Sequence, residues 1–160
     1  MNIQESIKTI MTGQDLSREE ISTTMNQILT GSASEAQIGA FLVSLSIKGE
    51  SIDEVIGSAQ VMRQLSSKVS VDKKNLVDTC GTGGVGSGIF NVSTTAAFVA
   101  SSCGAKVAKH GNRSVTRKSG SADLLETAGV SLDLDPEQVK SCIEEIGLGF
   151  MFAPSHHSAM

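Results

Sequence analysis

The sequence contains no tryptophan and no tyrosine, and only five phenylalanines in 160 residues. Any core must therefore be filled by Ile, Val, Leu, Met and Ala. Cysteine is also scarce. Cys80, Cys103 and Cys142 are odd in number and lack C-x-x-C spacing. That argues against a disulfide framework and suits a reducing cytoplasm. No apolar run reaches the roughly 20 residues that span a bilayer. The start, MNIQESIKTI, lacks the basic segment and long apolar stretch of a signal peptide. There is no internal repeat and no low-complexity tract. With 39% hydrophobic and 19% charged residues, the chain has the composition of one globular domain or two small ones.

The most informative absence is of acid. From Thr79 to Ala122 there is no Asp or Glu, while Lys106, Lys109, Arg113, Arg117 and Lys118 fall in that stretch. The whole chain carries a net charge of −4, so everything outside the stretch sums to −9. A positive segment in an acidic protein points to a small anionic ligand. The acidic remainder would repel a long polyanion, so nucleic acid is not expected as a partner. No membrane partner is expected either.

The first 68 residues read as a helical domain. Ile3, Ile7, Ile10 and Met11 follow helical spacing. Ser17 with Glu20, Ser34 with Gln37, and Ser51 with Glu54 each match a capping box. Each box opens an apolar-periodic run: Ile21, Met25, Ile28 and Leu29; then Ile38, Phe41, Leu42 and Leu45; then Val55, Met62 and Leu65. Gly31 and Gly49 stand where helix stops belong.

Residues 69–160 alternate strand and helix signals. Leu76-Val77-Asp78 reads as a short buried strand, Lys106–Lys109 as a second and Leu148–Phe152 as a third. Helices are expected over Val92–Ser102, around Ala122–Thr127, and from Asp135-Pro136-Glu137 to Gly147. This alternation predicts an α/β domain with a parallel sheet and functional loops after the strand ends. The fold class is thus a small all-helical domain followed by part of a parallel-sheet α/β domain.

Three segments carry chemistry. The first is a loop with five glycines between Gly81 and Gly88, leading to Asn91, Ser93, Thr94 and Thr95 at the mouth of a helix. Ordering so many glycines is entropically costly. Backbone amides free to approach a phosphate, beside a positive helix end, would justify that cost. A flexible linker is the bland alternative. Gly81, Gly83 and Gly86 match G-x-G-x-x-G spacing, but the helix does not open at the last glycine. No acidic residue follows about 20 positions later to hold a ribose, so a dinucleotide site is set aside. The second segment, Lys109 to Asp123, mixes cations, hydroxyls and two glycines after a strand. It reads as a second clamp on the same anion or as a solvated basic loop. The third is an apolar strand running from Phe150 into Ala153, His156 and His157.

Together these segments resemble one family, the anthranilate phosphoribosyltransferases of tryptophan biosynthesis. The matching runs are DTCGTGG (Asp78–Gly84), FNVST (Phe90–Thr94), KHGNRSV (Lys109–Val115), KSGSADLLE (Lys118–Glu126) and FMFAPSHHSAM (Phe150–Met160). The resemblance covers the whole chain and implies the nucleoside phosphorylase/phosphoribosyltransferase-like fold. It also implies a reaction: the anthranilate amine displaces diphosphate from the anomeric carbon of phosphoribosyl diphosphate, with Mg2+ assisting. By motif position, Gly81, Gly84, Asn91, Ser93, Thr94, Lys109 and Ser121 would hold phosphoribosyl diphosphate, and Ser93 would also bind the metal. Gly81, His110, Asn112 and Ala153 would face anthranilate. No residue is expected to act as a covalent catalyst. The family usually dimerises through its helical domain, so a cytoplasmic homodimer is expected.

The chain departs from the family pattern at Val85, Ile89 and Arg117, where Asp, a hydroxyl residue and Ser are usual. Each change removes a polar partner or alters charge beside the diphosphate, and a lost buried hydrogen bond costs about 1–3 kcal/mol. The family's chain also continues for about as many residues again, with further anthranilate and magnesium ligands. The 160 residues alone are therefore expected to be inactive. The alternatives are a non-catalytic module retaining the helical dimerisation domain and a nucleoside phosphorylase-like enzyme.

Overall fold

The computed structural model describes residues 1–81, 90–114 and 120–156. They form two compact units, Met1–Ser66 and a second that begins at Ser67.

The first unit holds four helices: α1 (Ile3–Met11), α2 (Arg18–Leu29), α3 (Glu35–Lys48) and α4 (Ile52–Leu65). The three expected capping boxes form, and Asn2 with Glu5 adds a fourth. In each, the cap side chain accepts the third-residue amide, and that residue's side chain accepts the cap amide. Gly31 and Gly49 end α2 and α3 with φ of +75° and +83°. Ile3, Ile10, Leu16, Ile21, Phe41 and Leu45 make the core. Met11 of the expected helical spacing is 73% exposed, and in the later apolar runs Leu42 and Val55 are each 54% exposed. With Val43, Ile47 and Ile52 the latter two form the exposed apolar residues of α3 and α4. The helical period instead buries Gly57 and Val61 of α4.

One buried carboxylate joins this unit's loops. Glu54 is 1% exposed and accepts from Leu16 N at 2.9 Å, Ser51 N at 2.7 Å and Lys48 Nζ at 2.8 Å. Burial opposes its ionisation, but these donors prevail and hold its carboxyl below the usual range. A depressed carboxyl contributes stability above the unfolded value of about 4.3, and loses it as pH falls through the folded one. Glu54→Gln keeps the volume and one acceptor. It is expected to cost about 2 kcal/mol near neutral pH, with the deficit shrinking in acid, as measured by urea unfolding across a pH series.

The second unit contains β1 (Leu76–Val77), α5 (Val92–Ser102), β2 (Lys106–Gly111), α6 (Ser121–Thr127), α7 (Pro136–Ile146), β3 (Leu148–Phe152) and α8 (Ala153–His156). The strands are parallel in the order β1-β2-β3. Side chains alternate across a strand, so neighbours Phe150 and Met151 enter different clusters. Phe150 packs with Ala122, Leu125 and Leu132, and Met151 with Val139 and Ile143. Helices thus cover both faces, as a parallel sheet requires.

Two expectations need correction, and one element is unforeseen. β1 is not a buried strand ending at Asp78: it has two residues, and Val77 is 41% exposed, because β1 is the edge of the described sheet. β2 runs on to Gly111, because β3 continues to pair with it to Phe152. The single helical turn of α8 follows β3 without any capping or periodic signal in the sequence.

Candidate functional site

In a parallel sheet the strand ends define the site. All three chemistry-bearing segments leave from the C-terminal ends of their strands. β1 runs into Asp78, Thr79, Cys80 and Gly81. β2 delivers Lys109, His110 and Gly111, followed by Asn112. Gly111 is in register with Phe152, so Asn112 and Ala153 leave adjacent strands at the same level.

Lys109 sits at the centre. It is 2% exposed, and its ammonium donates to Thr79 O and Ser93 Oγ, both at 3.4 Å. Thr79 Oγ1 in turn donates to Ser93 O at 2.9 Å. These bonds connect β2, the entry to the glycine-rich loop and the first turn of α5. Among the described residues Lys109 forms no ion pair. Burial pulls its pKa down, although the nearby Cys80 and Asp78 charges oppose that. A buried ammonium held only by neutral oxygens is electrostatically unfinished, and an arriving anion would complete it.

The mouth of α5 is shaped for the same partner. Asn91 is the cap residue, but its side chain does not cap the helix. Its Oδ1 accepts instead from Thr94 Oγ1 at 2.8 Å. Val92 N donates to Phe90 O at 2.7 Å, while among the described residues the Ser93 and Thr94 amides and the helix dipole are left to another acceptor. Ser93 is half-buried and Thr94 is buried.

The positive segment is narrower in space than in sequence. The Arg113 guanidinium binds Glu126 at 2.6 and 2.8 Å and Asp123 at 3.3 Å, which pushes its pKa up. It also lies 5.7 Å from the Phe152 ring centroid. Lys106 pairs with Asp72 at 3.4 Å. Both acidic partners of Arg113 and the partner of Lys106 lie outside the acid-free stretch. Of the described lysines and arginines of that stretch, Lys109 alone lacks a carboxylate partner.

The second segment is closed at its base by Asp123. Its Oδ2 accepts from Gly120 N at 2.7 Å and Ser114 N at 3.0 Å. These amides and Arg113 hold its carboxyl below the usual range. Ser121 Oγ donates to Asn112 O at 3.4 Å, and Ala122 N to the same oxygen at 3.3 Å. Gly111 permits this packing, because a Cβ there would collide with Ser121 Oγ and stand 2.6 Å from Phe150 Cε2.

Gly81 is exposed at the loop entry. Gly84, Val85, Ile89, Arg117 and His157 lie outside the described residues. His156 is buried, and its carbonyl accepts from Ser67 N at 2.8 Å, which anchors the start of the unit. Sequence reasoning passes over Asp78, Thr79 and Asp123 as site residues. Their positions inside the DTCGTGG and KSGSADLLE runs are the available signal.

This geometry has counterparts among known proteins. A family model described as "Glycosyl transferase family, a/b domain" matches residues 73–160, more than half of the chain. The chain belongs to this glycosyl transferase family. A second model, "Glycosyl transferase family, helical bundle domain", matches residues 4–66. The chain is 59% identical over all 160 residues to the anthranilate phosphoribosyltransferase of Ectopseudomonas mendocina (strain ymp), and 60% identical to that of Marinomonas sp. (strain MWYL1). In both cases it spans 46% of the relative's length. Among solved structures it resembles anthranilate phosphoribosyltransferase from Thermus thermophilus, with a TM-score of 0.85 and 42% identity, covering 97% of this chain and 47% of that one. It also resembles the Saccharomyces cerevisiae enzyme in complex with PRPP and Mg, with a TM-score of 0.85 and 26% identity, covering 99% and 48%.

Proposed function

We propose that this chain supplies the phosphoribosyl-diphosphate grip of an anthranilate phosphoribosyltransferase. The observation that carries the reading is Lys109, a buried ammonium with no carboxylate partner among the described residues, joined to Thr79 and Ser93 where loop, strand and helix meet. The relatives named above support the acceptor as anthranilate.

In this reading Lys109, Asn91, Ser93, Thr94, Ser121 and the glycines Gly81 and Gly84 surround the diphosphate. The Lys109 charge and the α5 amides stabilise negative charge building on the leaving group, in a place water reaches poorly. Gly81, His110, Asn112 and Ala153 border the acceptor, whose amine attacks the anomeric carbon as the bond to diphosphate breaks. No covalent nucleophile is required.

Magnesium favours hard oxygen ligands and commonly arrives with substrate phosphates. Among the described residues no group of three or more His, Cys, Asp or Glu side chains could hold a metal. Ser93 Oγ suits the ion as a single oxygen donor. It would hold one position on an ion otherwise carried by diphosphate and water, and the bound ion would neutralise leaving-group charge.

The exposed apolar residues Leu42, Val43, Ile47, Ile52 and Val55 on α3 and α4 support a homodimer formed through the helical unit. The free cysteines, two of them exposed, suit a reducing cytoplasm. No helix among the described residues is long and apolar enough to cross a membrane.

Calorimetric titration of the 160-residue chain with phosphoribosyl diphosphate and magnesium tests the reading. Micromolar binding by a preparation that sediments as a dimer, without turnover of added anthranilate, is expected. Absent or millimolar binding would favour a non-catalytic module. Release of free base from nucleoside and phosphate would favour phosphorolysis.

A further inference from the structure

The carboxylate of Asp78 spans the gap where β1 stops short. β1 pairs with β2 only through Leu76 with Lys106 and Val77 with Val107, yet β2 continues to Gly111. Beyond Val107, Asp78 takes over with side-chain atoms. Its Oδ1 accepts from Cys80 N at 2.9 Å and His110 N at 3.3 Å, and its Oδ2 meets His110 Nδ1 at 2.7 Å. One side chain therefore fixes both the turn into the glycine-rich loop and the orientation of the His110 ring.

An ionised carboxylate only accepts hydrogen bonds. His110 Nδ1 must therefore carry the proton, and in the neutral ring Nε2 must then be an acceptor. The other ring nitrogen's partner sets the tautomer. Nε2 has no partner among the described residues, and the ring is 44% exposed. The next residue but one is Asn112, at the same strand end.

We propose that Asp78 is a positioning residue that locks His110 in its Nδ1–H tautomer, so that Nε2 accepts a hydrogen bond from the amine of an aromatic acceptor. This rests on the functional reading above for the identity of the acceptor, but not for the tautomer. An anilinic amine is a hydrogen-bond donor and a poor acceptor. The opposite tautomer would present an N–H to it and leave both donors unpaired, a cost that specificity sites exploit.

The test is long-range proton–nitrogen correlation of the 160-residue chain, at about pH 8.5, above the ordinary imidazole range. His110 is expected to show a protonated Nδ1 and an unprotonated Nε2. In Asp78→Asn the amide oxygen can still accept the two backbone amides, and its NH2 then faces Nδ1. The tautomer is expected to invert to Nε2–H. Adding anthranilate to the wild-type chain with phosphoribosyl diphosphate and magnesium should shift the His110 Nε2 resonance and leave that of Nδ1 nearly in place. A wild-type Nε2–H tautomer overturns the proposal, and needs no variant to fold. An unchanged tautomer in a folded Asp78→Asn also overturns it. The stated tautomer with no Nε2 response to anthranilate, while phosphoribosyl diphosphate binds, overturns the acceptor role. Loss of phosphoribosyl diphosphate binding altogether is instead the failure of the functional reading.

Discussion

Lys109→Met is expected to make the chain more stable and to strip it of its ligand. Methionine fills a volume close to that of the lysine stem without an ammonium to desolvate. In the wild-type chain that ammonium is 2% exposed and, among the described residues, satisfied only by the Thr79 carbonyl and the Ser93 hydroxyl. Replacing an incompletely compensated buried charge with an apolar side chain typically stabilises a fold, here by about 1–2 kcal/mol. Loss of a charge-assisted hydrogen bond to diphosphate costs about 1.5–3 kcal/mol, so affinity for phosphoribosyl diphosphate should fall about 10- to 150-fold. The two effects have opposite signs, which distinguishes a ligand-binding lysine from a structural one.

The stability gap should also depend on pH in a defined direction. Burial depresses the folded-state pKa of Lys109. The unfolded chain therefore binds the extra proton between that lowered value and the ordinary one of about 10.4. Wild-type stability attributable to this group rises with pH across that window. The advantage of Lys109→Met should shrink there, while ligand affinity of the wild-type chain declines as the charge is lost. Thermal melts and titrations at several alkaline pH values measure both. A destabilised methionine variant would contradict this account of the site.

Gly120→Ala should be the most damaging single methyl among the described glycines of the α/β unit. A Cβ at this position would stand 2.5 Å from Ser114 N, 2.6 Å from Asn112 O and 2.7 Å from the Arg113 carbonyl carbon. All three are backbone atoms, so no side-chain rotation relieves the contact. The same short segment carries the two amides that share Asp123 Oδ2. Separating the backbone segments at this crossing would loosen that bond pair and the Ser121 and Ala122 contacts to Asn112 O. Overpacking of this kind costs about 3 kcal/mol when the neighbours cannot move. The midpoint of thermal unfolding should drop by about 6–12 °C. Ligand affinity should fall with it, because Ser121 and Asn112 both border the proposed site. A variant with unchanged melting would show that the backbone crossing at Gly120 has room to spare.

What is legible in the sequence is local. Capping boxes announce themselves within four residues, so Ser17, Ser34 and Ser51 mark helix starts correctly. Asn2 escapes the same pattern because its cap is an amide rather than a hydroxyl. Gly104, Gly129 and Gly147 mark helix ends by positive φ, a property that only glycine provides cheaply. What is not legible depends on register. Asp78 acquires its role from a strand that pairs 32 residues later. Arg113 reads as a free cation in a basic stretch, yet its carboxylates lie 10 and 13 residues on, beyond the stretch that defines the pattern. Val55 and Leu42 belong to apolar runs with more members than the core has room for, and spacing alone cannot say which face turns outward. The proposed phosphate grip is legible as chemistry, because glycines, hydroxyls and cations cluster by type. Which cation remains available is visible only in three dimensions.

The placement of Lys109 within β2, rather than in a loop, carries one more implication. At Lys109 the strand is paired with β3 on one side and flanked on the other by the Asp78 carboxylate at His110 N, so its backbone is pinned and a side chain rooted there has little freedom to chase an incoming molecule. In the proposed site a diphosphate would have to conform to a stationary point of charge. Beyond the ladder, Asn112 and Ser114 are held instead by Ser121, Ala122 and Asp123, and the chain after Phe152 turns into α8. Strand pairing thus fixes the charge, and side-chain bonds fix the loop that follows it.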